Sequence, residues 1–380
     1  MQKTYIPQKQ LERLKNLACP GVVVVIYGPR RVGKTTLVNE YLKGVKEKYL
    51  SVNGDDVTVQ EYLSSQSVEK LKSFIGEHRL LVIDEAQYIE NIGVNLKLIA
   101  DHIPGVKIIA TGSSTFDLAK KVGEPLTGRK FTLRMFPLAQ LELQAREQPH
   151  ETKARQESRL IYGSYPAVVT SATDAEREML LNETVDSYLL KDILELEGLK
   201  NRKKVRSLLE LLAHQIGKDV SFTELGSQLA MSKNTVERYI DLLEQVFVII
   251  GVRGFSRNLR KEISKNQRYY FCDVGIRNAL IRNFNPLRLR SDTGALWENY
   301  LFMERMKKRE YENISSNTYF WRTYTQQEID LIEERGGALY GYEFKWSKSK
   351  TRSAPTEWTR AYPDAKFETI TQENYIAFIA

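Results

Sequence analysis

Residues 21–36 read GVVVVIYGPRRVGKTT, and the order of these pieces decides the fold. Val22 to Ile26 form an apolar run without polar alternation, which reads as a strand buried on both faces. Gly28, Pro29, Arg30, Arg31, Val32 and Gly33 then make a loop, and a helix opens at Lys34, Thr35 and Thr36. Gly28, Gly33, Lys34 and Thr35 match the P-loop spacing, in the strand–loop–helix context that the motif requires. The spacing has a physical cause. Glycines let the backbone wrap around phosphates, so that N–H groups and the helix N-terminus face negative charge. Lys34 reaches the β- and γ-phosphates, and the Thr35 hydroxyl is a ligand for Mg²⁺. The two arginines inside the loop add phosphate contacts.

The second half of such a site is "RLLVIDEAQ", residues 79–87. Four apolar residues make a buried strand. Asp84 at its C-terminal end is expected to hold Mg²⁺ through water, and Glu85 to orient the attacking water. A Glu directly after the Asp favours hydrolysis over binding alone. "IIATGSS", 108–114, ends another strand with Thr111, Ser113 and Ser114. A polar residue there, with Ser113 the choice, is placed to sense the γ-phosphate.

Apolar runs at 21–28, 48–54, 79–87, 105–114 and 129–138 alternate with helical patterns. This predicts an α/β fold with βαβ units and a parallel sheet. The last run alternates most and belongs at an edge. The remainder divides into a helical lid (141–200), a helix-turn-helix with wing strands (201–275) and a C-terminal α/β domain (276–380), after a nucleotide-binding core (1–140). No apolar run is long enough to span a bilayer. Without an export signal the expectation is a cytoplasmic protein. Cys19 and Cys272, and four scattered histidines, make no zinc or disulfide pattern. Charge is uneven: residues 1–198 hold 26 basic and 26 acidic side chains, and 199–380 hold 30 and 22. The net +8 therefore lies in the second part, which points to a nucleic-acid partner through 199–380.

"YIPQKQLERL", "GPRRVGKTTL", "IDEAQYIEN", "TGSS", "LTGR" and "GSYPAVV" occur in that order. Together they resemble the bacterial and archaeal AAA-type, STAND-like ATPases whose C-terminal part is called DUF4143. The resemblance implies an ATPase using ATP and Mg²⁺. It implies that Arg129 serves a neighbouring subunit's nucleotide as a finger, hence a homo-oligomer. It also implies that Gly163 and Pro166 form a lid turn near the adenine.

Two features of the second half carry function. In 205–252, Ser221 caps a helix, "MSKN" turns, and a second helix runs from about Lys233 to Gln245. Val236, Ile240, Leu243 and Phe247 form its buried stripe. Lys233, Asn234, Thr235, Glu237 and Arg238 remain exposed, with Arg253, Arg257, Arg260, Lys261, Lys265 and Arg268 around the wing. The glutamate at 237 and Asp241 oppose phosphate contact. Near the end, "QQEIDLIEERGGALYGYEFKW" (326–346) reads as a hairpin. Residues i and i+2 of a strand share a face, so Glu343 and Lys345 point to one spot. Asp330 on the first strand and Glu298 on the preceding helix complete a set that resembles the metal site of PD-(D/E)XK, restriction-endonuclease-like domains. The resemblance implies Mg²⁺ or Mn²⁺ on Glu298, Asp330 and Glu343, with Lys345 catalytic. The leading expectation is an ATPase coupled to a nucleic-acid-binding, metal-dependent nuclease module. The alternatives are a nucleotide-dependent switch whose C-terminal domain binds without cutting, and a transcription regulator acting through the helix-turn-helix.

Overall fold

The computed structural model describes residues 5–112, 126, 128–189, 202–256, 267–347 and 353–380. Strands β1 (Val23–Tyr27), β2 (Tyr49–Asn53), β3 (Leu80–Asp84), β4 (Lys107–Gly112) and β5 (Lys130–Arg134) form one parallel sheet in the order β2-β3-β4-β1-β5. All five lie within the stretches expected to be strands. Every residue of β1 is buried, because crossover helices cover both faces of a parallel sheet. β5 lies at an edge, where Phe131 is exposed and Leu133 buried. β4 sits between β1 and β3, so the C-terminal ends of all three meet at one end of the sheet. That end is where open α/β sheets bind ligands. Thr4–Pro137 and Gln245–Phe247 cluster as one compact unit.

Leu138–Glu244 and Val248–Ala380 form a second unit. Its mixed sheet contains β6 (Asp219–Val220), β7 (Ile249–Gly254), β8 (Gln267–Phe271), β9 (Asn317–Arg322), β10 (Glu328–Arg335), β11 (Ala338–Phe344) and β12 (Lys366–Ile370). Their order is β12-β11-β10-β9-β7-β8-β6. The hairpin β7–β8 is thus not a separate wing. β7 pairs in parallel with β9 through Arg253↔Tyr319 and Gly254↔Phe320, and the Phe255 amide donates to the Phe320 carbonyl at 2.6 Å. The boundary expected near residue 275 therefore falls inside one continuous sheet.

The helices from residue 141 onward also differ from expectation. Their described part belongs to this second unit rather than to the nucleotide-binding one. Polar contacts explain the grouping. The buried Asn278 amide donates to the carbonyls of Leu160 and Ile161 at 3.0 and 2.8 Å. The Gln140 amide donates to Glu304 at 2.6 Å. Asp273 caps the helix Val274–Leu280 with Oδ1, and its Oδ2 accepts from the Ser164 amide at 2.7 Å. Each such group would be costly if buried unpaired, so these elements are held together. The helix-turn-helix forms as read: Ser221 caps Phe222–Leu229, and Lys233–Gln245 follows a turn in which Ala230 is left-handed. Val236, Ile240, Leu243 and Phe247 are buried. Lys233, Asn234, Glu237, Arg238 and Asp241 are exposed.

Candidate nucleotide site and C-terminal carboxylate cluster

At the end of β1 the loop Gly28–Gly33 leads into the helix Lys34–Lys43. Two of its glycines are required by their surroundings. A Cβ on Gly28 would sit 2.3 Å from the Met135 carbonyl oxygen. Gly33 has φ +99°, and a Cβ there would lie 2.8 Å from Gln8 Nε2. The Gln8 amide itself donates to the Val32 carbonyl at 3.0 Å, so a buried side chain from before the first helix braces the loop. Gln8 lay within the recognised "YIPQKQLERL" stretch, but nothing in its spacing marked it for this role. Lys34 Nζ donates to the carbonyls of Gly28 and Pro29 at 2.8 and 2.9 Å, inside the curve of the loop. Pro29 and Val32 are buried, while Arg31, Thr35 and Thr36 are exposed.

Three strand ends then converge. Thr35 Oγ1 donates to Asp84 Oδ2 at 2.8 Å, and Thr111 Oγ1 donates to Asp84 Oδ1. The Glu85 amide donates to Thr111 Oγ1 at 3.2 Å. A hydroxyl and a carboxylate within direct contact are the hard oxygen donors that Mg²⁺ takes beside a phosphate, so Thr35 and Asp84 fit that ion. Ser113 lies outside the described residues, as do Ser114, Arg257, Arg260, Lys261 and Lys265. Thr111, near the C-terminal end of β4, is what reaches Asp84. Glu85 adopts a left-handed backbone (φ 51°, ψ 44°), uncommon for a residue with a side chain. Gly54 makes it feasible: its amide donates to the Asp84 carbonyl at 2.8 Å, and a Cβ there would lie 2.4 Å from the Glu85 carbonyl oxygen.

Arg129 sits just before β5 and beside Val23, at the opposite end of the sheet from Gly28. Five strand residues separate the two ends, about 16 Å. Its guanidinium pairs with Asp101 at 2.6 Å. Gly163 and Pro166 belong to the second unit. A Cβ on Gly163 would lie 2.0 Å from Asp273 Oδ1, so the Asp273 cap of the helix Val274–Leu280 explains that glycine. Pro166 opens the short helix Pro166–Val169, where its missing N–H costs nothing.

The C-terminal residues come together as the strand parity predicted. The β10–β11 register places Leu331 opposite Tyr342, hence Asp330 beside Glu343. Lys345 Nζ stands 2.6 Å from Glu343 Oε1. Asp330 Oδ2 accepts from the Phe344 amide at 2.7 Å. Glu298 Oε1 accepts from the Tyr270 hydroxyl at 2.7 Å. Tyr270 is on β8, and its ring stacks on Phe302 at 4.1 Å. Gly217 gives the Glu298 carboxylate room, since a Cβ there would lie 2.8 Å from Glu298 Oε1. Tyr270 and Gly217 were not anticipated as parts of this site, because only tertiary pairing brings them there.

One expectation differs from what is seen. Glu343 is as buried as Tyr342 and Phe344 on the other face, not open to a crevice. Leu339, on the face of Glu343, packs with Trp321, Ile329, Ile332 and Trp358, while Tyr342 and Phe344 pack on Phe378. Burial raises the pKa of Glu298 to about 7; Glu328 and Glu343 add to the rise, and Tyr270 and Arg268 oppose it. Burial, then Glu298 and Glu343, hold Asp330 well above the usual carboxylate range. Carboxylate oxygens suit a hard cation, but no three His, Cys, Asp or Glu side chains among the described residues stand where they could hold one. Each of the three carboxylates is instead engaged by a protein donor: Tyr270, the Phe344 amide or Lys345.

Residues 21–144 match an AAA domain, and residues 293–376 match a domain of unknown function, DUF4143. The chain thus joins a region similar to AAA domains, on a P-loop NTPase fold, to a C-terminal region similar to DUF4143. Between the two, residues 153–287 match another domain of unknown function, DUF8612. An uncharacterized protein of Mycobacterium bovis is 26% identical over 338 residues, covering 88% of this chain and 72% of that protein. One of Haemophilus influenzae is 25% identical over 335 residues, covering 81% and 80%. Among solved structures, a STAND ATPase with a tetratricopeptide repeat sensor from Pyrococcus horikoshii covers 81% of this chain and 46% of its own, at 14% identity and a TM-score of 0.29. A score that low says nothing of function. No helix among the described residues is long and apolar enough to cross a membrane.

Proposed function

We propose that this AAA-type ATPase binds and hydrolyses ATP at Gly28–Thr36, Asp84 and Glu85, and that residues 199–380 bind nucleic acid. The observation that carries the first part is the meeting of Thr35, Asp84 and Thr111 at the mouth of the P-loop. Lys34 and the loop amides hold the β- and γ-phosphates. Mg²⁺, held by Thr35 and Asp84, would neutralise charge on those phosphates. Glu85 takes a proton from water as the water oxygen bonds to the γ-phosphorus. The bond from that phosphorus to the β–γ bridging oxygen breaks, and ADP leaves. Arg129 is too far from its own loop to act there, so any finger role is toward a neighbouring copy. The test is steady-state turnover of the full chain. Lys34→Ala should lose ATP binding, and Glu85→Gln should keep binding and lose hydrolysis. Wild-type turnover in Lys34→Ala would refute the assignment.

The nucleic-acid part is supported by the net charge of the second half and by the exposed Lys233, Asn234 and Arg238 at the start of the second helix of the turn. Binding through phosphates would weaken steeply with salt; affinity that does not change between 50 and 200 mM salt, concentrations at which a multi-phosphate contact loses about 10³-fold or more, would sink it. The engaged state of Glu298, Asp330 and Glu343 favours a C-terminal unit that binds without cutting. Metal-dependent cleavage is the second reading, favoured by Asp330, Glu343 and Lys345 lying side by side. A panel of DNA and RNA substrates with Mg²⁺ or Mn²⁺, with and without ATP, decides between them.

A further inference from the structure

The turn after Glu85 links two parts of the nucleotide site. Ala86–Tyr88 is a single 3₁₀ turn, closed by the Tyr88 amide on the Glu85 carbonyl at 3.2 Å. Its middle residue, Gln87, is buried, and its Nε2 donates to Glu85 Oε2 at 2.5 Å. Its last residue, Tyr88, is 40% exposed, and its hydroxyl accepts from Arg30 of the P-loop at 2.8 Å.

We propose that Gln87 is the positioning residue for the Glu85 carboxylate, and that Arg30 and Tyr88 tie its turn to the P-loop. The proposal rests on the reading of Glu85 as the base. A glutamate has three side-chain torsions, and an unpinned base spends little time aligned on water. The Gln87 amide engages Oε2 and leaves Oε1 as the oxygen for the water. The left-handed backbone of Glu85, held by Gly54 and Thr111, fixes where the side chain starts. With both ends fixed, only a narrow range of positions remains for the free oxygen. Misplacing a catalytic group by about 1 Å can cost about 100-fold in rate. Arg30 belongs to the loop that wraps the phosphates, so a loop drawn onto ATP pulls on Tyr88 and hence on Gln87. Base alignment and phosphate binding are thereby coupled through one turn of backbone.

The experiment uses the full chain. Gln87→Leu keeps a buried side chain of similar bulk and removes the amide. Turnover should fall about 10- to 100-fold, with KM for ATP and the Kd of a non-hydrolysable ATP analogue within about twofold. Tyr88→Phe removes only the hydroxyl and should lower turnover about 3-fold, again at unchanged affinity. In a Glu85→Gln background, Gln87→Leu should add no further loss of residual turnover, because its only route is through Glu85. A merely structural role would lower affinity and turnover together and would add in the double variant; either result overturns the proposal, as does Gln87→Leu at wild-type turnover. If Glu85→Gln alone hydrolyses ATP normally, the base assignment has failed instead. Should the leucine variant not fold, Gln87→Met is read by the same criteria.

Discussion

The P-loop and the C-terminal hairpin are both sites built from hydroxyls, carboxylates and a lysine, yet they are built by different forces. At the P-loop, backbone conformation does the work. Gly28 and Gly33 admit close approach, a helix begins at Lys34, and the exposed Thr35 reaches the Asp84 carboxylate at an open strand end. At the hairpin, packing does the work. Asp330 and Glu343 are buried, and the hydrogen bonds that hold the cluster come from β8, from β11 and from Lys345. The first arrangement keeps its hydroxyl and carboxylate at an open strand end, where a ligand can exchange for their protein partners. The second gives each buried carboxylate a protein donor, which offsets part of the cost of burying it.

Substitutions at the P-loop should therefore change activity far more than stability. Lys34→Ala should lower turnover by a factor on the order of 1000, the scale of losing a preorganised charge at a transferring phosphate. The melting temperature should hardly move, because the bonds from Lys34 to the Gly28 and Pro29 carbonyls stay within the loop and its helix. A large fall in melting temperature would make the two sites alike and break the contrast.

This difference also governs what could be read from residues alone. Gly28, Gly33, Lys34 and Thr35 lie within eight positions, and their geometry is local, so their order on the chain is nearly their order in space. Asp84 and Glu85 follow a buried strand whose place in the sheet is dictated by βαβ crossovers. Gln8 and Gln87 were not legible: each acts by one hydrogen bond to a loop or side chain whose conformation only the folded chain defines. In the second unit Asp330, Glu343 and Lys345 were legible through strand parity. Tyr270 and Gly217 were not, because parity says nothing of which strand lies beyond β9. The grouping of the helices after residue 141 was also hidden. It depends on Asn278, Asp273 and Glu304, buried polar residues that look in sequence like any solvated ones.

Gly163 tests the next largest difference. Gly163→Ala puts a Cβ onto the Asp273 carboxylate at a positive φ, so it should destabilise the second unit by about 3 kcal/mol. Chemical denaturation followed by tryptophan fluorescence reads this unit well, since Trp297, Trp321 and Trp358 are all in it. ATP affinity of the folded fraction should be unchanged. Lost affinity in a fully folded variant would favour the adenine-side role that the resemblance implied.

Asp292 gives a pH-dependent measure of the same packing. Burial alone would raise its pKa, but hydrogen bonds from Arg290 and Arg277 outweigh this and lower it to about 2. The folded value lies below the unfolded one, so the stabilisation is full above the unfolded value and is lost as pH falls through about 2. The shift corresponds to about 2 kcal/mol. Asp292→Asn should cost that much at pH 7. The gap to wild type should narrow only below about pH 4, and a gap that narrows between pH 7 and 5 would rule this account out.

The smallest effect is the most telling about the hairpin. Tyr270→Phe removes one hydroxyl and keeps the stack on Phe302, so at low pH it should cost about 1 kcal/mol. Its pH dependence carries the information. Glu298 has a folded pKa raised by burial to about 7, so it opposes folding increasingly as pH climbs from its unfolded value toward 7. The Tyr270 hydroxyl holds that value down by bonding to the carboxylate. Without it, the folded value rises further and the loss of stability continues to higher pH. Denaturation at pH 5 and pH 8 should therefore show a larger cost for Tyr270→Phe at pH 8. In a Glu298→Gln background that difference should vanish. If it persists, the Tyr270 bond is not what holds this carboxylate, and the hairpin's charges are satisfied by some other route than packing against β8.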